Sequence, residues 1–179
     1  MGAMLRIVDK WRSEARCPAA GLDMTQAAPQ HTAQGYSPPT VRQFSVFLEN
    51  KVGKLLELVR VFDEAPDVHL CAFSVMESSD YAVVRIIPNN ADAARNLLKR
   101  NNTSFSELDL LIVELTEGHT LASMCVYLLG AELNIRFAYP LMLRPNGTPT
   151  IALSVDDLTL AGQILRKKAF RLLGEEDLP

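Results

Sequence analysis

No apolar run in the 179 residues is long enough to cross a bilayer as a helix. Charge of one sign is not in excess either. With 18 basic and 21 acidic side chains the net charge is −3, and the basic residues form no run, so neither nucleic acid nor a membrane surface is an expected partner. Cysteine is scarce and odd in number. Cys17, Cys71 and Cys125 are too widely spaced for a disulfide framework and fit the reduced thiols of a cytoplasmic protein. There is no phosphate-binding glycine loop and no informative spacing of nucleophile, base and orienting group, which argues against an enzyme. Metal spacing is missing too. His69 and Cys71 share one face of a strand but are only two ligands, while His119 and Cys125, six apart along a helical stretch, fall on different sides. No metal and no cofactor is expected. The acidic clusters Asp63-Glu64, Asp156-Asp157 and Glu175-Glu176-Asp177 read as solvated helix ends and tail.

Residues 1 to 40 also lack the apolar content for a core and are rich in Ala, Gln, Gly and Pro. They read as a flexible leader or as a non-native extension ahead of a start at Met24. Asp9 and Glu14 interrupt the only apolar stretch that resembles an export signal.

What is present begins at Phe44. Phe44, Val46 and Leu48 alternate with polar residues, the period of a strand, whereas Leu55, Leu58, Val59 and Phe62 follow the spacing of a helix with one apolar stripe. The period switches at Gly53, where a residue without Cβ permits a sharp reversal. The helix that follows aims its unpaired N–H groups back at the turn, a place suited to a small carboxylate.

The chain then repeats itself. Leu55, Leu58, Val59, Phe62 and Ala65 recur as Leu121, Met124, Cys125, Leu128 and Ala131, each 66 positions later (121 − 55 = 66). Ala72-Phe73 recurs as Ala138-Tyr139 at the same offset, and Ala91, Ala94, Leu97 and Leu98 recur as Leu158, Ala161, Ile164 and Leu165 at an offset of 67. The extra residue falls where Ser78-Ser79-Asp80 is replaced by Arg144-Pro145-Asn146-Gly147, and Asn-Gly between apolar runs signals a hairpin. Strands are expected at about 68–77 and 81–88 in the first copy and 134–143 and 148–155 in the second. Asn90 and Asp157 stand ready to cap helices at 91–100 and 158–168. Cys125, replacing Val59, is expected in the core. Residues 103–115 must serve as last strand of one copy and first of the next, with a bend near Asp109, and the final strand is short. Each copy reads strand, helix, strand, strand, helix, strand. The fold class is α+β, two ferredoxin-like βαββαβ units in tandem with antiparallel sheets and helices on one face, residues 41–109 and 110–179.

From about Gln43 to Leu173 the chain resembles tandem ACT domains, the amino-acid-sensing modules attached to enzymes of amino-acid metabolism. The most specific element is Leu48-Glu49-Asn50-Lys51-Val52-Gly53-Lys54-Leu55, similar to the family's strand, Asn, any residue, Pro, Gly, any residue, Leu, with Val52 in place of the proline. The resemblance implies a ligand site where this loop, Asn50, Lys51, Val52, Gly53, Lys54 and Leu55, faces a neighbouring ACT unit. Backbone N–H groups after the turn would take the α-carboxylate and the Asn50 carbonyl the α-ammonium. The corresponding Thr116, Glu117, Gly118, His119, Thr120 and Leu121 departs further, with glycine one residue early and Thr116 in place of Asn50, so a weaker second site is expected there.

The implied function is non-catalytic: a cytoplasmic sensor of a free amino acid, a homodimer in keeping with exposed strand edges, acting on a partner enzyme of amino-acid metabolism. The alternative is a constitutive assembly subunit of an amino-acid biosynthetic enzyme with no ligand of its own. RNA-recognition modules share this order of elements, but Ser79 and Asp80 stand where a basic residue and glycine would precede Tyr81, which argues against RNA.

Overall fold

The structure, a computed structural model, describes residues 36–78 and 80–179. The leader reading for residues 1–35, the Met24 start and Cys17 lie outside the described residues. In chain order the elements are β1 (Val41–Glu49), α1 (Lys54–Asp63), β2 (Leu70–Ser78), β3 (Tyr81–Pro88), α2 (Ala91–Arg100), β4 (Phe105–Glu114), α3 (Leu121–Leu129), β5 (Ile135–Pro140), β6 (Thr150–Val155), α4 (Leu158–Lys167) and β7 (Leu172–Leu173), followed by a 3-10 turn at Glu175–Asp177.

One antiparallel sheet runs β2-β3-β1-β4-β6-β5, with β7 beside β4. Strand β4 is the element both copies share. Its first half pairs with β1, from Val46 opposite Phe105 to Val41 opposite Leu110, and its second half pairs with β6 and β7, starting at Leu111 opposite Leu153. The hand-over between Leu110 and Leu111 falls just after Asp109.

Alternation along β4 explains the layers. Leu111 and Val113 join Met124, Leu128, Ala161 and Leu165 under α3 and α4, just as Phe44, Val46 and Val84 join Leu58, Phe62, Ala94 and Leu98 under α1 and α2. Leu110 and Ile112 point the other way. They meet Val41, Cys71 and Ile87 from the first half and Tyr139, Leu141, Ala152 and Leu173 from the second, so the face without helices curls around a third core of its own. The outer strands close the curl: the Met142 N–H donates to the Cys71 carbonyl at 2.9 Å, and Arg85 lies 4.2 Å from the centre of the Phe137 ring. Tyr139 donates its hydroxyl proton to Gln43 Oε1 at 2.7 Å across the same interior. Burial raises the Tyr139 pKa, and Arg85 opposes the rise only in part.

Three expectations change. Cys125 is exposed, not a core residue. The buried positions of α1 are Leu58 and Phe62, and those of α3 are Met124 and Leu128, so Cys125 sits one step of about 100° round the helix from Met124 and faces out. The second hairpin is also looser than Asn146-Gly147 suggests. Gly147 takes a positive φ of 76° in a turn closed by its N–H on the Arg144 carbonyl, but β5 ends at Pro140: the Leu141 N–H still reaches the Thr150 carbonyl, while the Met142 N–H turns to Cys71 on β2. Finally, Tyr36 and Pro38, inside the stretch assigned to the leader, rest on α4. Tyr36 stacks under Arg166 at 5.4 Å, and a Cβ on Gly162 would lie 2.5 Å from Pro38 Cβ, so glycine there admits the incoming chain.

Candidate functional site

The loop from Asn50 to Leu55 leaves β1 and turns into α1. Gly53 has φ 93°, a conformation costly for residues with Cβ, and the turn closes with the Lys54 N–H on the Lys51 carbonyl at 3.2 Å. The Asn50 N–H donates to the Asp80 carbonyl at 3.1 Å, tying the loop to the β2–β3 hairpin. Its Nδ2 donates to Glu77 Oε1 at 2.9 Å, which orients the amide and sets a carboxylate beside it. Val52 projects into solvent.

The start of α1 differs from that of every other described α-helix. Asn90 caps α2 by accepting from the Ala93 N–H, Thr120 caps α3 by accepting from the Ser123 N–H, and Asp157 caps α4 by accepting from the Leu160 N–H. At Gly53 no side chain caps α1. The positive end of this helix thus has no side-chain acceptor of the kind the other helices have. The lysines are engaged. Lys51 Nζ lies 2.7 Å from Glu49 Oε2, and Lys54 Nζ lies 2.7 Å from Glu57 Oε2. The hydrogen bond that Lys51 donates lowers the Glu49 pKa, and the one Lys54 donates to Glu57 raises the Lys54 pKa.

Two clefts flank the loop. One of about 360 Å³ is bounded by Glu49, Asn50, Lys51, Asp80 and Tyr81. The other, about 590 Å³, runs between Lys54, Glu57, Leu58 and Val61 of α1 and the turn at Asn101 to Ser104. Both are open and lined by the first copy alone. Glu77, Asp80 and Tyr81 were missed by sequence reasoning, because they reach the loop only through strand register, with Glu49 of β1 opposite Tyr81 of β3.

The second loop is built differently. Thr116 and His119 form an isolated bridge, the His119 N–H donates to the Thr116 carbonyl at 3.0 Å, and Thr116 Oγ1 lies 3.1 Å from His119 Nδ1. Gly118, at φ 84°, makes the turn inside this closed loop, and the His119 ring packs edge-on to Phe170 at 4.9 Å. Glu117 is exposed, and Thr120 and Leu121 begin α3. Thr120 already takes a first-turn N–H, so this loop offers less to a ligand than the first.

Arg95 holds Glu107 with Nε at 2.6 Å and Nη2 at 2.8 Å and also pairs with Asp92, while Arg42 reaches Glu107 at 3.4 Å and Asp109 at 2.9 Å. The Arg95 hydrogen bonds are the main reason the Glu107 pKa is lowered. Burial pushes the Cys71 thiol up to about 11. Among the described residues no three His, Cys, Asp or Glu side chains are grouped to hold a metal, and no helix is long and apolar enough to cross a membrane.

A family model described as an ACT domain pair matches residues 39–179. No curated protein matches the chain in sequence. Among solved structures, protein BT0572 from Bacteroides thetaiotaomicron is similar at 25% identity and TM-score 0.68, with 78% of this chain and 96% of that one covered. The regulatory subunit of aspartate kinase from Thermus thermophilus, in a ligand-free form, aligns at 10% identity and TM-score 0.49 over 74% of this chain and 92% of that one.

Proposed function

The chain belongs to the ACT domain pair family, and from that premise we propose that it is a regulatory, non-catalytic cytoplasmic protein whose Asn50 to Leu55 loop takes a free amino acid. The uncapped start of α1 carries this reading. A carboxylate placed there receives first-turn N–H groups that Asn90, Thr120 and Asp157 occupy in the other helices. The α-ammonium goes to the Asn50 carbonyl, with the Glu77 carboxylate close by. Both clefts are lined by the first half of the chain alone, so a facing ACT unit is what completes the site. The Thr116 to Leu121 loop, capped and closed on itself, is at most a weaker second site.

Occupancy favours one arrangement of the loop and the unit facing it over another and so changes contact with a partner enzyme of amino-acid metabolism. An amino acid of about ten non-hydrogen atoms reaches micromolar affinity, about −8 kcal/mol, within ligand-efficiency limits.

The test is a thermal-shift panel with the twenty amino acids taken singly. One or two are expected to raise the melting temperature, and Gly53→Trp or Asn50→Ala is expected to remove the rise. A flat panel sinks the sensor. It would instead favour a constitutive assembly subunit, a reading supported by Lys51 and Lys54 already being paired with Glu49 and Glu57.

A further inference from the structure

Helix α3, Leu-Ala-Ser-Met-Cys-Val-Tyr-Leu-Leu, has no charged residue in its nine positions. The duplication supplies an internal control. Lys54, Glu57, Arg60 and Asp63 solvate α1, and the residues 66 positions later are Thr120, Ser123, Val126 and Leu129. Every charge of the first copy's helix has been replaced by an uncharged side chain. The exposed residues Leu121, Ala122, Cys125, Val126 and Leu129 fall at i, i+1, i+4, i+5 and i+8, one continuous outward stripe. Four of the five are Leu, Val or Cys, and Leu129 is 75% exposed.

The stripe continues onto α4. A cleft of about 360 Å³ between the two helices is lined by Val126, Gly130, Ile164 and Lys168 among others, and exposed Leu160 lies one turn before Ile164 on the same side. A nine-residue helix is only about 13 Å long. A specific interface covers about 800 Å² per partner, so α3 and this flank of α4 are needed together.

We propose that this two-helix face packs against the same face of a second copy. Cys125 is the middle residue of α3, so a two-fold axis beside it runs the two α3 helices antiparallel and lays the uncharged stripe on itself with no like charges opposed. Helix α4 is polarised, with exposed Asp156 and Asp157 at its start and exposed Lys167 and Lys168, which line the cleft, at its end. The same rotation sets the acidic end of one α4 towards the basic end of the other. An unlike partner needs no such self-complementarity. The face belongs to the second copy of the repeat, away from the Asn50 loop, and does not rest on the amino-acid reading.

The experiment measures the mass of the full chain by light scattering at tens of micromolar, together with cross-linking by a short bis-maleimide in a Cys17→Ser background, where Cys125 is the exposed thiol among the described residues and Cys71 is buried. A mass of at least two chains of 19.8 kDa is expected, with a covalent dimer through Cys125. Val126→Arg with Leu129→Asp restores the charges α1 has at the matching positions. It is expected to halve the mass and cut the cross-linked fraction at least fivefold while far-UV circular dichroism stays unchanged. A wild-type mass of one chain overturns the proposal, as does a variant with unchanged mass and cross-linking. Because the variant leaves Gly53 untouched, any amino-acid response in the melting panel persists in it, so the two readings fail separately.

Discussion

Gly53 is the residue on which the candidate site turns, and the reason is backbone conformation rather than crowding. A Cβ built there meets nothing within 4 Å, so only the φ of 93° opposes a side chain. Gly53→Ala is therefore expected to cost about 1 kcal/mol, a fall of about 2–4 °C in melting temperature by calorimetry. A fall several times larger would mean that the turn is coupled to more than its own dihedrals. Tyr139 presents the opposite case. Its hydroxyl proton goes to Gln43 Oε1 in the inner core, and Gln43 Nε2 donates onward to Ser45 Oγ at 3.1 Å. Tyr139→Phe leaves a buried acceptor without its donor and is expected to cost about 1–3 kcal/mol in denaturant unfolding. A neutral result would mean that Gln43 finds another donor.

At the scale of elements, α2 is tied to the sheet by a charged clamp. The Arg95 fork takes both oxygens of Glu107 on β4, and that carboxylate is about one-fifth exposed. A folded-state pKa below the unfolded one means stability that is present above the ordinary carboxylate range and is lost as pH falls through the lowered value. Glu107→Gln is therefore expected to cost about 1 kcal/mol at pH 7, with the gap to the wild type closing as melting is followed below pH 4. A gap that persists at low pH would assign the effect to packing. These elements were largely legible in the residues. Asn90 and Asp157 cap where a short polar side chain precedes an apolar period, and α2 starts and ends where its pattern does. The missed features are those that local pattern does not encode. β5 ends early where the Met142 N–H turns to Cys71 of the other copy, and Cys125 faces out although Val59, its counterpart, is half-buried. Of the site, Gly53 was legible because a period change marks it. Glu77 and Tyr81 were not, since they reach the loop only through the register of β2 and β3.

At the scale of the whole molecule, the tandem repeat does not make two independent bodies. Strand β4 gives its first half to β1 and its second to β6, while the inner core draws Val41, Cys71 and Ile87 from one copy and Tyr139, Ala152 and Leu173 from the other. Neither half keeps a complete interior when the other unfolds, because each would expose the inner face of its strands to water. Thermal unfolding is expected to be a single transition with calorimetric and van't Hoff enthalpies equal. Leu111→Ala, under the second pair of helices, and Phe44→Leu, under the first, should then lower that one melting temperature rather than split it. For Leu111→Ala the expected cost is about 2–5 kcal/mol, since the side chain is fully buried beneath α3 and α4. Two resolved calorimetric peaks, with only the second displaced by Leu111→Ala, would show that the halves fold separately. The curl of the sheet would then be an association of two stable units instead of the core that makes either one stable.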